Sequence, residues 1–193
     1  MDILTNFPTQ LLIYSLDMIG ISACAIAATT LAMYKRFDLF GCILVSMVNA
    51  IGGGSLRDII LDRHPLFWMT DLTYVILITT TSIICQLFFH RLGHIDRALK
   101  FFDAIGLAVF SVIGLTVALS FDAHPLIAVM MAVMTSIAGG IMRDMICNEI
   151  PLVLQKEIYI SASIIGSALY LVLEIWGFAD WIKQGLALVS IFG

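Results

Sequence analysis

Asn49-Ala50-Ile51-Gly52-Gly53-Gly54-Ser55-Leu56-Arg57-Asp58 closes an apolar segment that opens at Leu39. Glycine costs about 1 kcal/mol per residue in a helix interior relative to alanine, so three in a row weaken a helix locally. An arginine and an aspartate follow within one turn. The element returns as Ile137-Ala138-Gly139-Gly140-Ile141-Met142-Arg143-Asp144. Weakened helix beside ionisable groups at membrane depth is the pattern of an ion or substrate path.

Outward from these two elements the chain is apolar throughout. It is 61% hydrophobic and 12% charged, far from the quarter of charged residues a soluble domain carries. The fold class expected is an all-α integral membrane protein. Barrel strands would alternate polar and apolar residues, and these segments do not. A net charge of -4 without a basic patch argues against a nucleic-acid partner. Met1 to Gln10 has no signal-peptide pattern, so the first helix is expected to stay in the membrane. Cys24, Cys42, Cys85 and Cys147 lack metal-type spacing and read as small packing residues. No catalytic constellation and no cofactor motif is present, so an enzyme is not expected.

A span needs about 20 apolar residues. Segments near 11–34, 39–58, 72–89, 101–121, 125–144 and 158–176 qualify, and a short seventh begins near Trp181. The loops after the first, third and fifth segments hold Lys35, Arg36, Arg91, Arg97, Lys100, Arg143 and Lys156. Those after the others hold only Arg57, Arg63 and Lys183. Basic residues stay in the cytoplasm, which predicts an external N-terminus and a cytoplasmic C-terminus.

A shift of 86 residues superposes the landmarks. Asp17 falls on Asp103, Gly20 on Gly106, Gly53 on Gly139, Gly54 on Gly140, Arg57 on Arg143, Asp58 on Asp144 and Pro65 on Pro151. Asp, Gly-Gly, Arg-Asp and Pro in one register are not a composition effect. Three helices per copy turn the second copy over, an inverted 3+3 repeat with a seventh helix outside it. The expected units are 1–92, 93–178 and 179–193.

Two readings of the glycines stand side by side. Small residues let helix backbones touch. Alternatively, unwound backbone exposes carbonyls that replace the water around a cation, putting transient potassium at Gly52, Gly53 and Gly139. Gly53 lies ~21 Å along the helix from Leu39, past the middle of the membrane, with Arg57 near its boundary. Arg57 and Asp58 point about 100° apart, which predicts partners on other helices rather than each other. Asp17 and Asp103 are the candidate partners, Asp103 being the one that Lys100 could hold at the interface. Hydroxyls in the third and sixth helices serve either as glue or as a pore wall. Asp71 and Glu157 suit helix N-termini.

The duplicated Gly-Gly-x-x-Arg-Asp element on a seven-helix chain resembles the TRIC family, the trimeric intracellular cation channels, whose bacterial members share a duplicated domain also named a glycine-transporter domain. The resemblance covers nearly the whole chain. It implies a homotrimer in the inner membrane with one pore per subunit. Glycine kinks in the second and fifth helices would shape that pore for monovalent cations, chiefly potassium. It assigns gating to Arg57 and Arg143. Ala138 replaces the glycine at Gly52, which predicts a shallower second bend. Phe121-Asp122-Ala123-His124 stands where animal members carry a lysine-glutamate lipid motif, so phosphoinositide control is not expected. A secondary transporter of a small solute such as glycine, and a purely structural scaffold, are the alternatives.

Overall fold

The computed structural model describes residues 7–88, 95–155 and 158–192. The expected boundary at 92/93, His90, Arg91, His94, Lys156 and Glu157 lie outside the described residues. Eight α-helices are described: α1 Phe7–Tyr34, α2 Leu39–Ile60, α3 Thr73–Phe88, α4 Ile95–Ser120, α5 Pro125–Ile146, α6 Leu152–Gln155, α7 Ile158–Ile175 and α8 Asp180–Phe192. A 3-10 turn occupies Phe67–Met69. Five helices, α1, α2, α4, α5 and α7, are long and apolar enough to cross a membrane, and α3 is a shorter apolar helix.

Helix α4 is the most enclosed element and packs against α1, α5, α7 and α8. Helix α1 lies between α4, α2 and α3, and α2 crosses α5. The inner face of α1 is built from small residues, among them Ala25, Ala27, Ala28 and Ala32, all fully buried. Small side chains bring neighbouring backbones close where lipid supplies no hydrophobic force between helices. Hydroxyls then join them. The Thr29 and Ser46 hydroxyls share a 2.7 Å bond, and Thr29 donates to Ser82 at 2.9 Å, tying α1 to α2 and α3. Ser111 and Ser163 pair at 2.7 Å between α4 and α7. Here the hydroxyls act as glue. Buried Lys183 pairs with Glu174 and, at 2.7 Å, with Asp180, which fixes α8 to α7.

The helix ends carry the repeat in their backbone. Arg36, Asp62, Asp122 and Asn148 adopt positive φ of 61°, 52°, 56° and 52°. Arg36 and Asp122 are 86 residues apart, as are Asp62 and Asn148. Each follows a helix whose last carbonyls are satisfied the same way. The N–H groups of Phe37 and Ala123 return to Ala32 and Ala118, and those of Arg63 and Glu149 to Asp58 and Asp144. This is the Schellman closure, with aspartate and asparagine tolerating the left-handed residue at three of the four sites. At the other ends, Asp38 accepts the Gly41 N–H at 2.7 Å, and Asp71 accepts the Thr73 N–H at 2.9 Å.

Two expectations about elements are corrected. Helices α2 and α5 run unbroken through Gly52–Gly54 and Gly139–Gly140. The missing side chains are used to pack the two helices rather than to unwind them. Helix α4 begins at Ile95, six residues before the apolar pattern indicates, because its opening residues include the charged Asp96, Arg97 and Lys100.

Candidate functional site

The crossing of α2 and α5 is reciprocal. A Cβ on Gly53 would fall inside 3.0 Å of the Thr135 carbonyl oxygen, and one on Gly139 inside 3.0 Å of the Asn49 carbonyl oxygen. Asn49 and Thr135 are themselves 86 residues apart, so each glycine receives the carbonyl four residues before its own counterpart. Backbone cannot yield as a flexible side chain can, so both positions require glycine. Gly54 is closed over by the Phe67 ring, and Gly52 faces the flexible end of Met142, with the Gly139 Cα at ordinary contact distance. Gly140 has nothing nearer than the Arg143 guanidinium at 3.8 Å.

Beyond the crossing lie the charges. Arg57 and Arg143 are buried, at 4% and 1% exposure. Each closes on the next residue: Arg57 Nε and Nη2 donate to Asp58 Oδ1 at 2.9 and 2.7 Å, and Arg143 Nε donates to Asp144 Oδ1 at 2.8 Å. This corrects the expectation that neighbours 100° apart do not pair. The long arginine side chain curls back, and burial leaves its guanidinium no water to prefer. The second oxygen of each aspartate is held by a backbone N–H from the following loop, Phe67 for Asp58 at 3.2 Å and Leu152 for Asp144 at 3.1 Å. The loop is thereby locked to the end of its helix.

The outer partners differ between the halves. Arg143 donates from Nη1 and Nη2 to the two oxygens of Asp103, at 2.5 and 2.9 Å. That fork is the strong geometry for a guanidinium and a carboxylate. Asp103 is therefore part of the buried site and not an interfacial residue beside Lys100. Asp17, its counterpart, does not take Arg57. It accepts a 2.7 Å bond from the Tyr74 hydroxyl, while the Arg57 guanidinium lies over the Phe67 ring, 5.8 Å from its centre.

A cavity of about 30 Å³ sits where these parts meet, lined by Asn49, Asp103, Thr135, Arg143, Asp144 and Tyr159, with Gly53, Gly54, Gly139 and Gly140 on its floor. It has room for about two waters. The Thr135 hydroxyl is buried and has no hydrogen-bond partner among the described residues. One guanidinium faces two carboxyl groups there. Gly52, Asp17, Arg57 and Asp58 lie outside the cavity. Asn49, Thr135, Tyr74 and Tyr159 were not among the sequence candidates. Asn49 and Thr135 stand four residues before the paired glycines, a register the repeat contains.

These features define a multi-pass, all-helical membrane protein with a small charged cavity at a glycine crossing. The family described as glycine transporter matches the chain twice, over residues 14–90 and 100–174. UPF0126 inner membrane protein YadS of Escherichia coli strain K12 is 40% identical over 161 residues, 83% of this chain and 78% of that protein. The TRIC trimeric intracellular cation channel orthologue from Rhodobacter sphaeroides superposes with a TM-score of 0.91 at 33% identity, covering 94% of this chain and 93% of that one. A prokaryotic TRIC channel solved in 0.5 M KCl gives 0.90 at 28% identity, covering 95% and 93%. The chain belongs to the TRIC family.

Proposed function

We propose that the protein is a cation channel, selective for potassium, assembled as a homotrimer in the inner membrane with one path through each subunit. The path runs along the α2–α5 crossing. The observation that carries this reading is the cavity wall on which Arg143 meets both Asp103 and Asp144. A lone buried arginine would repel a cation, but here carboxylates outnumber it. The solved TRIC cation channels of similar fold support the same reading. In the state described, Gly53 and Gly139 are covered by the opposing backbone. Contact of an ion with Gly52, Gly53 and Gly139 therefore belongs to a state with the crossing parted.

The arrangement in the membrane is part of the proposal: two three-helix units, 1–92 and 93–178, inverted with respect to one another, and α8 as a seventh segment from 179. The N-terminus is outside and the C-terminus cytoplasmic. Recording from purified protein in a planar bilayer under asymmetric potassium chloride tests the function. A reversal potential near the potassium equilibrium value supports the channel. A value near that of chloride, or no unitary current from trimeric protein, refutes it.

A secondary transporter of a small solute such as glycine is the second reading. It is favoured by the unequal outer pairing in the two halves, since inverted repeats in unequal states are how transporters alternate access. Saturable, gradient-coupled glycine uptake without unitary currents would decide for it.

A further inference from the structure

The two halves place the same four groups at equivalent positions and connect them differently. Each has an aspartate on its first helix (Asp17, Asp103), an Arg-Asp pair ending its second (Arg57-Asp58, Arg143-Asp144) and a tyrosine on its third. The tyrosines match once the connecting loop is aligned by its bond to the helix end. Phe67 lies nine residues after Asp58 and Leu152 eight after Asp144. Downstream of that loop the register is therefore 85, and Tyr74 falls on Tyr159.

In each half the inner bonds, arginine to the next aspartate and that aspartate to the loop N–H, are the same. The first half adds a second Arg57 bond to Asp58 and the Arg63 guanidinium 3.6 Å from the same oxygen, but the outer bond is where the two halves differ in kind. In the first half the tyrosine holds the outer aspartate and the arginine does not. In the second half the arginine holds it. Tyr159 lines the same cavity as Asp103 and makes no hydrogen bond through its hydroxyl among the described residues. Arg57 makes no bond to Asp17 among the described residues, but it lies over the Phe67 ring, which meets the ring of Tyr74 edge-on at 4.9 Å.

We propose that Tyr74 and Tyr159 compete with Arg57 and Arg143 for Asp17 and Asp103, and that the chain exchanges between two states in which the halves trade these bonds. In the second state Arg57 holds Asp17 and Tyr74 is released. Tyr159 then holds Asp103, and Arg143 keeps only Asp144. Exchange takes the guanidinium off the cavity's outer carboxylate and leaves there a carboxylate held by a neutral phenol. That favours a cation in the cavity more than the present pairing does. The inner bonds are common to both states, so no helix need unfold. The effect on conduction rests on the channel reading; the exchange itself does not.

The test uses Tyr74→Phe, Tyr159→Phe and the double variant, each in the full-length protein. Losing a hydrogen bond to a charged group shifts an equilibrium on the order of tenfold. Tyr74→Phe removes the bond that holds the present state, and Tyr159→Phe the one that holds the alternative. The two are expected to change open probability in opposite directions, about tenfold each, with the double variant returning towards the parent. Any other pattern of signs in folded protein overturns the proposal. If the parent passes no current, the channel reading fails by itself, and an experimental structure of Tyr74→Phe in lipid nanodiscs decides the exchange. Arg57 bonded to Asp17 supports it, and Asp17 left without Arg57 overturns it.

Discussion

Gly139 of α5 lies against the carbonyl oxygen of Asn49 of α2, too close for any other residue, and Gly53 meets Thr135 in the mirror arrangement. The contact explains why glycine is needed in two helices that show no break. It also sorts the glycines into those that bear the crossing and those that do not.

Gly53→Ala and Gly139→Ala should each lower stability by about 1–3 kcal/mol or more, because the added methyl meets backbone. Gly140→Ala should stay within about 1 kcal/mol of the parent, its methyl having open space and its helix propensity improved. Unfolding of the purified variants in mixed micelles separates the two groups.

Asp103→Asn leaves a buried guanidinium with half its partners, a change that costs roughly 3–5 kcal/mol where a buried pair is broken. Asp17→Asn loses only a charged acceptor for one phenol, roughly 1–3 kcal/mol. The same unfolding assay should rank Asp103→Asn as the more damaging. Equal losses would mean that the two aspartates carry equal loads.

Asp71 lies outside the membrane-spanning segments. Its bonds from Thr73, and a weaker one from Tyr14, hold its carboxyl below the ordinary value of 3.8. A carboxyl with a lowered folded pKa adds stability above its unfolded value and loses it as pH falls through the folded one. Carbon-13 titration should find its midpoint below 3.8, and Asp71→Asn should remove that part of the acid-induced loss.

All four cysteines are free and buried. At Cys147, just past α5, burial pushes the thiol up from its usual range. Native protein should resist a membrane-impermeant maleimide at pH 7, and four thiols should react after denaturation in dodecyl sulfate. Rapid native labelling at Cys147 would contradict its enclosure.

Much of this architecture can be read from the chain. Six apolar segments are visible by length, and the 86-residue register carries through to the helix closures at Arg36, Asp62, Asp122 and Asn148. Asp103 as partner of Arg143 follows from the cost of burying either alone. Other features are not legible, for physical reasons. A glycine run predicts weakness and close approach equally, since both come from the absent Cβ, and only the neighbouring helix decides. Neighbouring Arg57 and Asp58 diverge at their Cα atoms, but the reach of a guanidinium depends on burial. The single turns at 67–69 and 152–155 are too short to show a period.

Asn49 does one thing that Thr135 does not. Its amide donates to the Cys24 carbonyl at 2.7 Å, anchoring α2 to α1, whereas the Thr135 hydroxyl has no acceptor among the described residues. Moving α2 off the crossing therefore strips the Asn49 tether to α1, whereas α5 is held to α4 through Arg143 and Asp103, beyond the crossing. The mirror geometry conceals a division of labour: one helix is fastened to its neighbour at the crossing itself, the other only where its buried charge sits.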